Sequence, residues 1–355
     1  MKKSILHIIP SLSFGGAEKQ LLNLAISDND FDHTIVTLLQ INNNFLKQYD
    51  LHSINIIDLS SHCWIKKLLQ INRILVNHQP NIIQTWMYHS CLFSLMFLKK
   101  NIPIIWNIRR TDISKNSLKL QTYFIVRLLS VLSHLIPSGI VYCANSAKES
   151  HLLAKFSNKN SKVIFNGLDL KQNYNNENIK KSEIPKIAFV GRNVKEKNFN
   201  SFMKFLDYTE KKNERLEVYV LGRGYERYFS QKSKYKCINI NFLGEVSNIN
   251  DFYLKSEFLF STSLTEGFPN VIAEAMSFGV TPIYSDVGDS RDIANNYGVM
   301  INSFNPKSMY SDLLMAFEKR NKNKITEMVS YIRTKYSQES TNKAYKNLWM
   351  ELINK

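Results

Sequence analysis

Two glutamates separated by seven residues, Glu266 and Glu274, flank a Gly267-Phe268-Pro269-Asn270 turn at a strand-to-helix junction. Proline suits the first turn of a helix, and the backbone N–H groups that follow point towards an anion. Glu266 falls on the loop and Glu274 in the helix, so both carboxylates can address one ligand. Two cations hold a similar position earlier in the chain, Arg192 and Lys197, just after the strand candidate that ends Val190-Gly191. Fixed cations beside a helix N-terminus suit a leaving group that gains negative charge, such as a departing diphosphate. Each residue alone has a plainer reading, as an acid satisfying a helix dipole or as a surface Arg or Lys. The combination is what points to chemistry.

Weaker groups accompany these. Ser13-Phe14-Gly15-Gly16-Ala17-Glu18 is a glycine loop that opens a helix; it lets backbone approach a ligand, although plain turn glycines suit the same place. His89 follows a strand candidate within the aromatic cluster Trp86-Met87-Tyr88, where a satisfied structural histidine is the alternative to a site residue. Arg109 and Arg110 also follow a strand candidate and could bind a phosphate or cap the strand. Asp28-Asn29-Asp30 has the D-x-D form of a metal–nucleotide site, but it lies just past a helix end and reads as a polar turn. Asp286-Val287-Gly288-Asp289 likewise reads as a structural turn, with contact to the pocket as the alternative. Leu221-Gly222-Arg223-Gly224 lacks the glycine run and the acid that a dinucleotide site needs.

The elements that must position these residues alternate. Short β-branched runs at 5–9, 34–38, 54–58, 82–85, 104–108 and 139–143 are separated by amphipathic stretches such as 18–26, 64–77 and 118–135. That order predicts a parallel sheet with helices on both faces. Residues 171–185 are rich in Asn, Lys and Glu and end in a proline, which predicts a linker. A second series follows at 186–190, 216–221, 238–242, 258–261 and 281–284. The expected organisation is a first Rossmann-like domain over 1–170, a second over 186–336, and a helix over 337–355 that returns to the first. Ligands in doubly wound sheets bind beyond the carboxyl ends of the strands, so the expected site faces a cleft between the halves.

The segment Thr265–Met276 resembles the E-x7-E signature of glycosyltransferase family 4, a group of retaining enzymes with the two-domain GT-B fold. The glycine loop at 13–18, the stretch Val190–Asn198 and the turn Phe165-Asn166-Gly167-Leu168-Asp169 resemble its other motifs, in order and at ordinary spacing. The resemblance implies a GT-B fold and transfer of a sugar, hexose or N-acetylhexosamine, from a nucleotide-sugar, most often a UDP-sugar, with retained configuration. It implies that Arg192 and Lys197 hold the donor diphosphate, that Glu274 accepts from the ribose hydroxyls, and that Glu266 lies near the reacting carbon. Backbone groups of Phe268, Pro269 and Asn270 would orient the sugar, and Gly15 and Gly16 would cover the phosphates. The stretches 84–90 and 105–111 resemble members that build bacterial surface polysaccharides, which would place His89, Arg109 and Arg110 on the acceptor side. The implied acceptor is a lipid-linked saccharide of lipopolysaccharide O-antigen or capsule synthesis, with no cofactor and no required metal. A nucleotide-sugar 2-epimerase of the same fold is the rival, but no convincing acid–base set for it is apparent.

Composition narrows the partners. Among 355 residues, 46 Lys and Arg against 30 Asp and Glu give a net charge of +16. Residues 1–170 carry 18 basic and 9 acidic side chains and residues 171–355 carry 28 and 21, so the excess is not a tail. No nucleic-acid module is visible, and nucleic acid is not expected as a partner. Four scattered cysteines suggest neither a disulfide framework nor a zinc site. No run is long and apolar enough to read as a membrane span, and a cytoplasmic setting is expected, peripheral at the inner face of the plasma membrane if lipid is bound. The stretch 118–135, with Lys119 and Arg127 among many apolar residues, is either a buried core helix or a peripheral contact with anionic lipid.

Overall fold

The computed structural model describes residues 2–52, 54–97, 101–168, 170, 182–246 and 248–355. The chain divides into two compact units, Met1–Asp169 with Gln338–Lys355, and Leu170–Ser337. Asp169 of the Phe165–Asp169 turn and most of the expected linker, 171–181, lie outside the described residues.

The first unit holds a seven-stranded sheet of β1 (Lys3–Ile9), β2 (Phe31–Thr37), β3 (Asn55–Asp58), β4 (Ile82–Trp86), β5 (Ile104–Ile108), β6 (Gly139–Tyr142) and β7 (Ser161–Val163). Their order is β3-β2-β1-β4-β5-β6-β7, and every pairing is parallel. The second unit repeats the plan with β8 (Lys186–Val190), β9 (Leu216–Leu221), β10 (Ile238–Gly244), β11 (Phe258–Ser261), β12 (Thr281–Ser285) and β13 (Val299–Ile301). Its order is β10-β9-β8-β11-β12-β13, again all parallel. Central strands such as β4, β5, β6 and β11 are buried along their whole length, because helices cover both faces of a parallel sheet. The two short strands β7 and β13 carry too little alternation to stand out in sequence. Among the described residues no helix is long and apolar enough to cross a membrane.

The last helix, Gln338–Ile353, packs on the first unit and puts Tyr345, Leu348, Trp349 and Leu352 into its core. Its two large buried polar side chains each find a partner. Trp349 Nε1 donates to Gln84 Oε1 at 2.9 Å, and Tyr345 Oη accepts from Asn107 at 2.7 Å and Arg109 at 2.6 Å. Beside them runs a directed hydrogen-bond chain. The Trp86 indole can only donate, so His7 accepts at Nδ1 (3.3 Å) and must carry its proton on Nε2. That proton is donated to His33 Nδ1 at 2.9 Å, and His33 Nε2 in turn donates to Asp28 at 3.0 Å. Lys346 of the last helix closes the chain on Asp28 at 3.1 Å and on Asp30 at 2.6 Å. The 28–30 turn is therefore a docking point for the last helix, and its carboxylates are committed to His33 and Lys346.

The helix at 118–135 differs from a core helix. It spans Leu120–Leu132 and buries only Val126, Leu129 and Ser130. Leu120, Phe124, Leu128 and Val131 face outward, and Ile125 and Leu132 are half-buried.

Burial, and then the neighbouring His33, hold His7 well below the ordinary histidine value of 6.5. Burial pushes His151 down to about 4, opposed by its bond to the Ala147 carbonyl. Burial alone would raise the Asp28 carboxyl, but hydrogen bonds from His33, the Asp30 backbone and Lys346 keep it below its usual value. For all three groups the unfolded chain binds protons more readily, so stability falls as pH drops. Loss should begin near 6.5 as the histidines of the unfolded chain charge, and His151 alone should contribute up to about 3 kcal/mol by pH 4. Thermal midpoints measured across this window should fall steeply for the native chain and flatten for a His7→Gln/His151→Gln variant.

Candidate active site

In the second sheet the strand order turns round between β8 and β11, the place where loops diverge and leave a crevice. The loop after β8 carries Arg192 and Lys197, and the loop after β11 carries Glu266. The two loops are zipped together. Leu264 donates its backbone N–H to the Glu196 carbonyl at 2.7 Å. The Thr262 hydroxyl donates to the carbonyls of Lys197 and Asn198 at 3.0 and 3.2 Å. Across this seam Lys197 Nζ lies 2.5 Å from Glu266 Oε1. Ser263 donates to the same oxygen at 2.7 Å, and Oε2 makes no hydrogen bond among the described residues. Arg192 is exposed and its guanidinium has no hydrogen bond or ion pair among the described residues.

Two glycines let the neighbouring loops, after β9 and β12, press against this pair of loops. Gly222 has φ +127°, and a Cβ there would stand 1.9 Å from the Gly191 carbonyl oxygen. Gly288, after β12, has φ +57° and would put a Cβ 2.3 Å from Gly267 O and 2.6 Å from Glu266 O. The Asp289 N–H donates to Gly267 O at 3.1 Å, so the Asp286–Asp289 turn props the Glu266 loop from below. Ser285 adds a buried hydroxyl bond to Ser263 O at 2.5 Å.

Pro269 stands at the cap of the Asn270–Ser277 helix, one position before the first helical residue, and its own side chain makes no capping bond. The Phe268 ring is buried against Tyr336, 5.5 Å between centroids, so only its backbone faces the turn's exterior. Glu274 lies in the second turn of the helix, half-buried, with the Tyr253 hydroxyl 3.4 Å away. Burial, then the Glu274 charge, raise the Tyr253 phenol well above its ordinary value. Ser263 and Tyr253 were not singled out in the sequence, and Gly288 was named only as part of the Asp286–Asp289 turn. Only the serine had a signal, its place three residues before Glu266.

The remaining candidates belong to the first unit. Gly15 caps the Gly16–Ser27 helix without a side-chain bond, and Glu18 folds back until its carboxylate crowds the Gly15 α-carbon. His89 is exposed, makes no hydrogen bond among the described residues, and has its pKa lowered by desolvation. It follows Met87, which has φ +67° at the end of β4, a left-handed conformation unusual for a residue with a side chain. Arg109 lies over the Trp86 ring at 4.9 Å and bonds Asn166 and Tyr345. Arg110 bonds the carbonyls of Asp112 and Ser117. Both arginines thus hold the carboxyl end of β5 to its surroundings.

Two parallel α/β units with these strand orders have the GT-B fold of glycosyltransferases. The crystal structure of Anabaena Alr3699/HepE in complex with UDP-glucose superposes with a TM-score of 0.79 at 13% identity, over 98% of this chain and 99% of that one. Residues 171–335 match the family model described as glycosyl transferases group 1. Over 306 residues the chain is 23% identical to the capsular polysaccharide biosynthesis glycosyltransferase CapH of Staphylococcus aureus, covering 82% of this chain and 84% of CapH. A 104-residue stretch, 28% of each chain, is 33% identical to a Campylobacter jejuni protein. That protein is named GalNAc-alpha-(1->4)-GalNAc-alpha-(1->3)-diNAcBac-PP-undecaprenol alpha-1,4-N-acetyl-D-galactosaminyltransferase. The second unit thus carries the sequence pattern of a group 1 glycosyltransferase.

Gly288→Ala should disturb this site without touching a polar group. A left-handed alanine costs about 1–2 kcal/mol, and the new methyl must push back the Glu266–Gly267 backbone. A lower thermal midpoint together with weaker nucleotide binding by calorimetry is the expected result.

Proposed function

We propose that the chain is a retaining glycosyltransferase of surface-polysaccharide synthesis. It moves a hexose or N-acetylhexosamine from a nucleotide-sugar, taken as a UDP-sugar, to a lipid-linked glycan precursor of capsule or O-antigen. The observation that carries this reading is the Lys197–Glu266 pair set across the turning point of the second sheet beside the exposed Arg192. The HepE complex supports the choice of UDP, and the name of the Campylobacter protein supports the lipid-linked acceptor.

The residues divide the work by charge. As the bond from the anomeric carbon to the diphosphate breaks, negative charge builds on the leaving oxygen. Arg192, the Lys197 ammonium and the N-terminus of the Asn270–Ser277 helix stabilise it, the role a metal would otherwise take. Lys197 has three donor hydrogens, so it can hold Glu266 and a phosphate oxygen together. Glu266 is pinned at Oε1 by Lys197 and Ser263. A carboxylate so held acts as a fixed counter-charge to the sugar ring, with Oε2 turned to the ligand and no covalent bond needed. Glu274 accepts from the ribose. The leaving phosphate takes the acceptor's proton, so attack and departure share one face and the configuration is retained. A 2-epimerase would need an acid–base pair that this arrangement does not supply.

Arg192→Ala and Lys197→Ala should each lower kcat by about a hundredfold or more, with smaller changes in KM. Glu274→Ala should instead raise the donor KM, by roughly tenfold to a hundredfold for one charge-assisted bond. A chelator should leave turnover intact. Proton NMR of the first-formed product should show the donor's own anomeric configuration; an inverted linkage would overturn the mechanism.

A further inference from the structure

The helix Leu120–Leu132 and the turn after it carry a row of outward apolar side chains, Leu120, Phe124, Leu128, Val131 and Leu135. Each is between 49 and 78% exposed. The spacing of four, four, three and four residues keeps them on one helical stripe. Five large apolar groups in an exposed row are more than the scattered leucines of an ordinary surface. Exposed cations border it: Lys115, Lys119 and Arg127, the last lying over the Tyr123 ring at 5.2 Å.

The charge around the stripe is lopsided. Residues 59–148 carry eleven Lys and Arg against one acid, Asp112, while residues 1–58 carry four against six. The connections from β3 to β4, from β4 to β5 and from β5 to β6 all step in the same direction across the sheet. Right-handed crossovers therefore put their helices on one face. On that face the Trp64–His78 helix adds exposed Ile65, Leu69 and Val76 beside Lys66 and Arg73. The stripe begins with Leu120 on the connection leaving the carboxyl end of β5 and finishes with Leu135 on the approach to the amino end of β6.

We infer that this face of the first unit docks on an anionic lipid bilayer, with the stripe sunk into the acyl boundary and the cations among the headgroups. An apolar row rimmed by Lys and Arg is the pattern of interfacial helices, and the basic residues add attraction to negative lipid. A second copy of the chain is a poorer occupant, because a face-to-face pair would set the same cations against one another. The inference deepens the lipid-linked acceptor of the proposed function, since the stripe starts at the carboxyl edge of the sheet and the face would hold that edge near the bilayer.

The full chain should co-sediment at low salt with vesicles of equal parts phosphatidylglycerol and phosphatidylcholine. It should be released by salt and should not bind phosphatidylcholine alone. Phe124→Ser/Val131→Ser should lower the partition coefficient at least about tenfold. Lys119→Gln/Arg127→Gln should weaken it about tenfold and flatten its salt dependence. Thermal stabilisation by UDP, measured in parallel, should be unchanged in both variants, which separates this inference from the donor chemistry. Failure of the wild type to sediment with the anionic vesicles, equal binding to neutral ones, or apolar variants that bind like wild type would overturn it. So would a wild-type dimer in analytical ultracentrifugation that Phe124→Ser/Val131→Ser dissociates while lipid binding is absent.

Discussion

Parallel strands cannot be joined by a tight turn, so each must hand the chain to a crossover that passes over a face of the sheet. Every described strand of both units obeys this, and most of the molecule's organisation follows from it. The loops that leave the carboxyl ends are free to diverge only where the strand order turns round. In the second unit that place lies between β8 and β11, and the charged pair of the candidate site, Lys197 and Glu266, comes from those two loops. The flanking loops after β9 and β12 press on these two so closely that Gly222 and Gly288 have no room for a methyl group. The backbone around the pair is therefore over-determined, and the carboxylate is held before any ligand arrives.

The first unit meets a different constraint, the burial of polar groups under its last helix. A buried imidazole or indole without a partner is costly, and here the donors and acceptors are ordered from Trp86 through His7 and His33 to Asp28. The order works only with both histidines neutral and with Lys346 opposite the carboxylate. The last helix is thus tied to the first unit by matched polarity as well as by Tyr345 and Trp349. Arg109, which as a sequence feature could equally bind phosphate, is drawn into the same packing by Tyr345, Asn166 and Trp86.

Under the proposed function the two units would do different jobs. The second unit concentrates its charged groups at one sheet edge, where a nucleotide diphosphate would sit. The first unit presents basic and apolar surface on the face of its later crossovers. The proposed sugar-nucleotide donor and lipid-linked acceptor would make those opposite demands, one for fixed charge and the other for contact with a bilayer.

Sequence alone determined the alternation of strands and helices, and with it the doubly wound fold, because a buried parallel strand needs a β-branched run and its crossover needs an amphipathic helix. It also determined that Gly267-Phe268-Pro269 lies between a strand and a helix and leads into the helix, since glycine and proline leave the backbone few other choices. Tertiary structure alone decided what has no local cause. The partners of Glu266 come from elements up to 69 residues away, and no spacing rule relates Lys197 to it. His7 lies 26 residues from His33, itself near Asp28, and the three form one hydrogen-bond path only after β1 and β2 pair. The short strands β7 and β13 exist because a sheet edge was available to them. The apolar residues at 118–135 have the same composition in a core helix as in a surface one. Which face they turn outward depends on how much sheet is left to cover, and that is a property of the folded unit.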